Sequence, residues 1–210
     1  MNQDAPPAGL PSVEDVPQAG WDEAAQVLSD AFETDPHLSW FIRQDAKRTV
    51  ARRKFFDFIL QNMAGPVARI ERPVGGGAAA VWMPSEALTP STVLEDLGTL
   101  PIMLRTTGLA RLGRLMTIRK VMDAQHPSDI RHSYLWFLGV SPDRQGQGLG
   151  SLLLKQGLAR ADAEGIAAWL ETGTERNVAL YTRHGFEAVH AAPVTPGGPM
   201  MWHMLRQPKG

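Results

Sequence analysis

The sequence predicts an α/β (α+β) fold: helices flank a central mixed sheet of about six to seven strands, mostly antiparallel around one central parallel pair. Three observations carry this expectation. Leu135 to Val140 is apolar on both strand faces, a run that only a strand covered on both sides can hide. A glycine-rich turn and a leucine-rich helix follow, and Ile166 to Thr172 reads as the next strand, which makes the helix the crossover of a parallel βαβ unit. Hairpin patterns at Val67 to Met83 and at Glu187 to Leu205 supply the antiparallel strands.

Ser141-Pro142-Asp143 ends the central strand. Gly146, Gly148 and Gly150 then remove three side chains where the helix bearing Leu149, Leu152, Leu153 and Leu158 begins. The first backbone N–H groups of that helix have no internal partner and point outward, so the turn is an anion site. Spacing has to say which anion. The Walker pattern is absent, because no Gly-Lys-Ser or Gly-Lys-Thr follows. A dinucleotide fingerprint needs glycine or alanine at 151 and meets Ser151, and too little chain remains for the usual strand and helix alternation. Glu171, near the end of the next strand, sits where that fingerprint keeps its ribose-binding acid, so a nicotinamide reading stays open.

Gln145-x-x-Gly148-x-Gly150 resembles the pyrophosphate loop of the GCN5-related N-acetyltransferases (GNAT). Asn177-Val-Ala-Leu-Tyr181-Thr-Arg-His-Gly185-Phe186 resembles the second signature of that family, in register downstream. Gly139 to Ser151, with Leu170-Glu-Thr172 and Arg176-Asn177, is especially similar to the puromycin N-acetyltransferase branch. The clear resemblance covers Tyr134 to Glu187; a weaker one reaches Ser12 to Phe32, Ala79 to Trp82 and Pro196 to Met204. It implies the GNAT fold, with the central parallel strands splayed apart.

The chain has 210 residues and no cysteine, which excludes disulfides, thiolate metal sites and a cysteine acyl-enzyme. A single domain over residues 11–207 is expected after a flexible tail at 1–10 rich in proline. The six histidines show no metal-ligand spacing, so isolated roles and no metal are expected. A formal net charge of −1 gives no footprint for nucleic acid or an anionic membrane. Without a leader pattern or a long apolar run, a soluble, cytoplasmic protein is expected, and a homodimer is left open. Basic clusters at Lys47 to Lys54 and Arg111 to Lys120 read as solvated helix faces, with a nucleotide 3′-phosphate as the alternative.

Taken in order, Val13 and Val16 suggest a short edge strand, limited by Pro11 and Pro17. Trp21, Ala24, Ala25, Leu28 and Phe32 recur at helical spacing. Asp35 to Trp40 reads as the loop that, by resemblance, faces the acceptor; Asp35 and Trp40 are its candidate contacts. A helix is expected from about Ala46 to Met63, then the first hairpin, near whose end Trp82 is a further candidate for lining the acceptor pocket. Residues 92–125 are helical in composition but interrupted by Gly98, Pro101, Gly108 and Gly113, which suggests two or three short helices on the acceptor side. Asn177 is expected to open a short helix closed by Gly185.

The resemblance also assigns chemistry. The N–H groups of Gln145, Gly146, Gln147, Gly148, Leu149 and Gly150, with Ser151, would hold the coenzyme A pyrophosphate of acetyl-CoA at the positive end of the helix. The pantetheine arm would pair along Leu138, Gly139 and Val140, and an N–H near Leu138 would meet the thioester oxygen. Asn177 would contact the same arm. Tyr181, four residues on, would give a proton to the leaving thiolate, which suits a phenol protonated at neutral pH. No carboxylate lies on the central strand, so Glu171 is the first candidate for the base, with Glu86 and His132 behind it. The expected function is direct acetyl transfer to a small-molecule amine, antibiotic-like in the branch it resembles. A peptide or protein amine, and a non-catalytic coenzyme A sensor, are the alternatives.

Overall fold

The computed structural model describes residues 9–65, 67–88 and 93–209. The expected tail at 1–10 falls outside these except for Gly9 and Leu10. Seven strands form one sheet in the order β1 (Val13–Asp15), β2 (Arg69–Pro73), β3 (Ala78–Pro84), β4 (His132–Val140), β5 (Ala167–Thr172), β7 (Met200–Arg206), β6 (Glu187–Pro193). Only β4 and β5 run parallel, as the crossover requires; the other neighbours are antiparallel.

One face of the sheet carries α1 (Trp21–Ala31), α2 (Pro36–Phe41), α3 (Arg48–Phe58) and α5 (Leu112–Gln125); the other carries α6 (Leu149–Glu164). Strand alternation divides the core accordingly. Tyr134, Phe137 and Trp169 face the first group, while Leu135, Ala168 and Leu170 face the leucines of α6. Helix α3 passes into a π-helical turn, Ile59–Ala64, so the predicted helix to about Met63 is present in a wound-out form.

Two expectations change in form. Residues 36–41 are a helix rather than a loop, because Asp35 caps them: its carboxylate accepts from the Leu38 N–H at 2.8 Å, with Pro36 at the first position. In the 92–125 segment only Gly108, at φ +68°, breaks the chain, between α4 (Val93–Thr107) and a short 3-10 turn leading to α5. Gly98, Pro101 and Gly113 are absorbed within helices, since none of them is held at a positive φ.

The basic clusters are not simply solvated faces. Arg52 is buried and donates to the Ser29 carbonyl at 2.6 Å. Arg111 donates to the carbonyls of Ser39 and Trp40 at 3.0 and 2.8 Å and so fastens α2 to the acceptor-side segment. No described helix is long and apolar enough to cross a membrane.

Candidate active site

The ladder between β4 and β5 is short. It pairs His132 with Ala167, Ser133 with Ala168 and Tyr134 with Trp169, and then ends. Each strand stays paired on its outer edge, β4 with β3 as far as Val140 and β5 with β7 as far as Thr172. The facing edges of Trp136 to Val140 and of Leu170 to Thr172 therefore part without ladder partners. A bulge begins the gap: Val81 pairs with Phe137 and Trp82 with Leu135, which leaves Trp136 as the extra residue. An extra residue bends and twists the bulged strand, so the divergence has a local cause.

The glycine turn lies at the open end of this gap. Gly146 and Gly148 adopt φ of +78° and +81°, a region that costs any residue with a Cβ about 1–2 kcal/mol. Gly148 caps α6, and the first intrahelical bond into it comes from Leu152 N–H. The N–H groups of Leu149, Gly150 and Ser151 thus stand at a sixteen-residue helix N-terminus without intrahelical partners. Gln145 Nε2 reaches back to the Val140 carbonyl at 3.3 Å and ties the turn to the strand end. Gly139 is glycine for a different reason. A Cβ there would lie 2.9 Å from that of Ala31, so α1 packs directly on the backbone beside the gap.

Helix α7 (Glu175–Arg183) begins at Thr174, whose hydroxyl accepts from the Asn177 N–H at 3.3 Å. Asn177 is the third helical residue, not the opener. Asn177 and Tyr181 share one face of α7. The Tyr181 ring packs against Phe186 with centroids 5.8 Å apart, and no described residue hydrogen-bonds its hydroxyl. Burial, and next the Asp35 carboxylate, push the Tyr181 phenol well above its usual range, so it keeps its proton at any ordinary pH. Asp35 is pulled up in turn by its own burial, against the lowering effects of His37 and the α2 amides. The approach is made by Gly173, where a Cβ would meet Pro36 at 2.7 Å. Tertiary packing thus brings Asp35 and Tyr181 together from residues far apart in sequence.

Glu171 is almost fully buried, with 5% of its side chain exposed, and is hydrogen-bonded on both oxygens. Tyr134 OH donates to Oε2 at 2.8 Å and Trp169 Nε1 to Oε1 at 2.6 Å; His126 Nδ1 and His203 Nδ1 stand 3.8 and 3.7 Å from Oε1. Burial alone would raise its pKa, but these four neighbours outweigh it and hold the carboxyl at about 2. A carboxylate so fully engaged is a poor acceptor for an amine proton. Glu171 is thus a buried carboxylate hydrogen-bonded on both oxygens. Glu86 fares no better, being exposed and tied to Arg131 at 2.5 Å.

Trp82, which the sequence leaves open between pocket wall and core, lies on the core side. It is 3% exposed, and its indole lies where a Cβ on Gly157 of α6 would come within 2.2 Å. It therefore fills the core beneath α6. Trp40 is half-buried on α2 with the Arg114 guanidinium 5.3 Å over its ring. The Ser151 hydroxyl lies 3.2 Å from His184 Nε2. Sequence reasoning missed Tyr134, His126 and His203 around Glu171, and took the histidines as isolated. Strand parity holds the missing signal, since Tyr134, Trp169 and Glu171 all point to one face; α5 and β7 bring in the histidines only on folding.

A mixed sheet with one splayed parallel pair thus opens onto a glycine-capped helix start, an unpaired strand edge beside bare N–H groups. Residues 108–186 match the model of the acetyltransferase (GNAT) family, a segment that holds β4, the glycine turn, β5 and Tyr181. Similar solved structures include one from Corynebacterium glutamicum described as a histone acetyltransferase and related acetyltransferase. It is 25% identical over 96% of this chain and 98% of its own, at TM-score 0.72. The polyamine N-acetyltransferase of Drosophila melanogaster, which forms N-acetylagmatine, is 15% identical over 93% and 99% at TM-score 0.63. Arylalkylamine N-acetyltransferase 2 of Aedes aegypti is 12% identical over 94% and 99% at TM-score 0.60. The matched segment and the shared fold together support an N-acetyltransferase activity for this chain.

Proposed function

We propose that this single-domain protein transfers the acetyl group of acetyl-CoA directly to a primary amine of a small cytoplasmic molecule. The observation that carries the reading is the gap between β4 and β5, which opens onto a helix start stripped of side chains. Coenzyme A chemistry fits both features: an anion for the bare N–H groups, and a chain of amides for the unpaired strand edge. In this reading the amides of Gln145 to Gly150, with Ser151, hold the pyrophosphate. Leu138 to Val140 and Asn177 line the pantetheine arm, and a backbone N–H near Leu138 stabilises charge growing on the thioester oxygen.

Bound acetyl-CoA supplies the activated acyl group. Tyr181 supplies the proton for the departing sulfur; its raised pKa keeps the proton available, and its hydroxyl is not committed to a partner among the described residues. Asp35 and Trp40, at the cap and within the helix beside Tyr181, are the proposed acceptor contacts, and the Asp35 carboxyl can hydrogen-bond an amine. The small amines named for the Drosophila and Aedes proteins support a small acceptor, and the resemblance to the puromycin branch makes puromycin the first amine to try.

Calorimetric titration with acetyl-CoA, with NADH as control, tests donor binding. A Tyr181→Phe variant then tests the acid. Its turnover should fall roughly 100-fold or more while acetyl-CoA affinity stays the same; unchanged turnover would remove Tyr181 from the mechanism.

A further inference from the structure

Four of the six histidines gather around Glu171. His126 closes α5, His132 starts β4, His203 faces Glu171 across the β5–β7 ladder, and His190 stacks on His203 with centroids 5.6 Å apart. Their nitrogens permit a count of hydrogens. His132 Nδ1 lies 2.9 Å from the Ile130 carbonyl, which only accepts, so that nitrogen carries hydrogen. His132 Nε2 and His126 Nε2 are 2.9 Å apart, a contact that needs one hydrogen between them. His126 Nδ1 then faces Glu171 Oε1 at 3.8 Å.

Three positions on two rings ask for hydrogen, and two neutral imidazoles supply two. The position left bare is His126 Nδ1, the one that faces a carboxylate. One further proton would fill it and turn a lone pair aimed at an anion into an imidazolium beside it. Exposure separates this ring from its rivals. The His126 side chain is 20% exposed, whereas that of His203 is 1% exposed and that of Glu171 only 5%.

We propose that the His126–His132 pair, held in place by Glu171, takes the proton that the amine gives up; this rests on the acetyltransferase reading above. An ammonium acceptor must lose two protons as the C–N bond forms and the C–S bond breaks. One replaces the proton that Tyr181 gives to the sulfur. The other is released overall, and the imidazole pair receives it and passes it to water through the open edge of His126. Glu171 is then a positioning residue. The pair works among other charged and titratable groups: Asp123 on α5, Tyr134 on β4, Glu86 beside His132, and His203 and His190 behind Glu171. Burial lowers the His132 pKa, and the solvent-facing edge of the pair belongs to His126, whose side chain is 20% exposed.

The test is the pH profile of kcat/KM for the amine in wild type and His126→Gln, together with a nuclear magnetic resonance titration of the ring nitrogens. In the variant, acetyl-CoA affinity should be unchanged, the rate should fall about 100-fold, and the acid limb of the profile should disappear. A structural role alone would lower the rate and leave the limb at its pH. In the wild type, both rings should respond to a single shared step, which Glu171→Gln moves to lower pH. A variant with the wild-type rate and limb, or rings that titrate independently, would overturn the relay while leaving acyl transfer standing. A wild-type protein that bound no acetyl-CoA would overturn the acetyltransferase reading itself and the relay with it.

Discussion

The two sides of the β4–β5 gap are built on opposite principles. At the glycine turn, backbone groups are left bare: Gly146 and Gly148 hold conformations that side chains resist, and the start of α6 has no side-chain cap. Around Glu171 both carboxylate oxygens are hydrogen-bonded and two imidazoles stand within 4 Å of one of them. The first arrangement suits a ligand that arrives with its own charge. The second suits groups that must keep their positions while a proton moves nearby. An isolated acid in an apolar strand and an acid bonded on both oxygens look alike in a sequence, yet only the first is a ready base.

Substitutions can break this contrast or sharpen it. The largest effect is expected at Glu171. Glu171→Gln should cost about 3–5 kcal/mol, because it removes one partner of a buried network, and urea denaturation would measure it. The wild type should also lose stability in acid. The folded carboxyl sits at about 2 against an ordinary 4.5, so its contribution is present above 4.5 and disappears as pH falls through 2. Denaturation of Glu171→Gln over that window should show a flatter pH dependence; an equally steep one would mean that another carboxyl is responsible.

Gly157→Ala comes next. Its Cβ would collide with the Trp82 ring, for a loss of about 1–3 kcal/mol with no change in acetyl-CoA affinity. This variant perturbs α6 away from the turn and separates helix packing from ligand binding. Gly148→Ala should be of similar or slightly smaller size in stability, about 1–2 kcal/mol, but should weaken acetyl-CoA binding as well. The reason is conformational rather than steric, since the added Cβ would meet the Leu10 side chain only at 3.6 Å. The smallest effect is expected at Arg114→Ala. It lifts a cation from the Trp40 ring and should change stability by about 0.5–1 kcal/mol, with acceptor KM as the more sensitive readout.

The chain order of strands and helices, the parallel crossover and the glycine turn were legible in the sequence because each is local. Apolar runs, positive-φ glycines and helical spacing act over a few residues, and nothing distant in the fold opposes them. The sequence also showed that the face of α7 bearing Asn177 also carries Tyr181, since four residues make one turn. What it did not show is where long-range packing sends polar side chains. Trp82 reads equally well as pocket wall or core, and the glycine at 157 on a neighbouring helix made it core. Asp35 approaches Tyr181 only because Gly173 lets α2 against the end of β5. Glu171 became an anchored anion only when α5 delivered His126 and β7 delivered His203. Those contacts join segments far apart in the chain, and their energies depend on burial and on partners that exist only after folding.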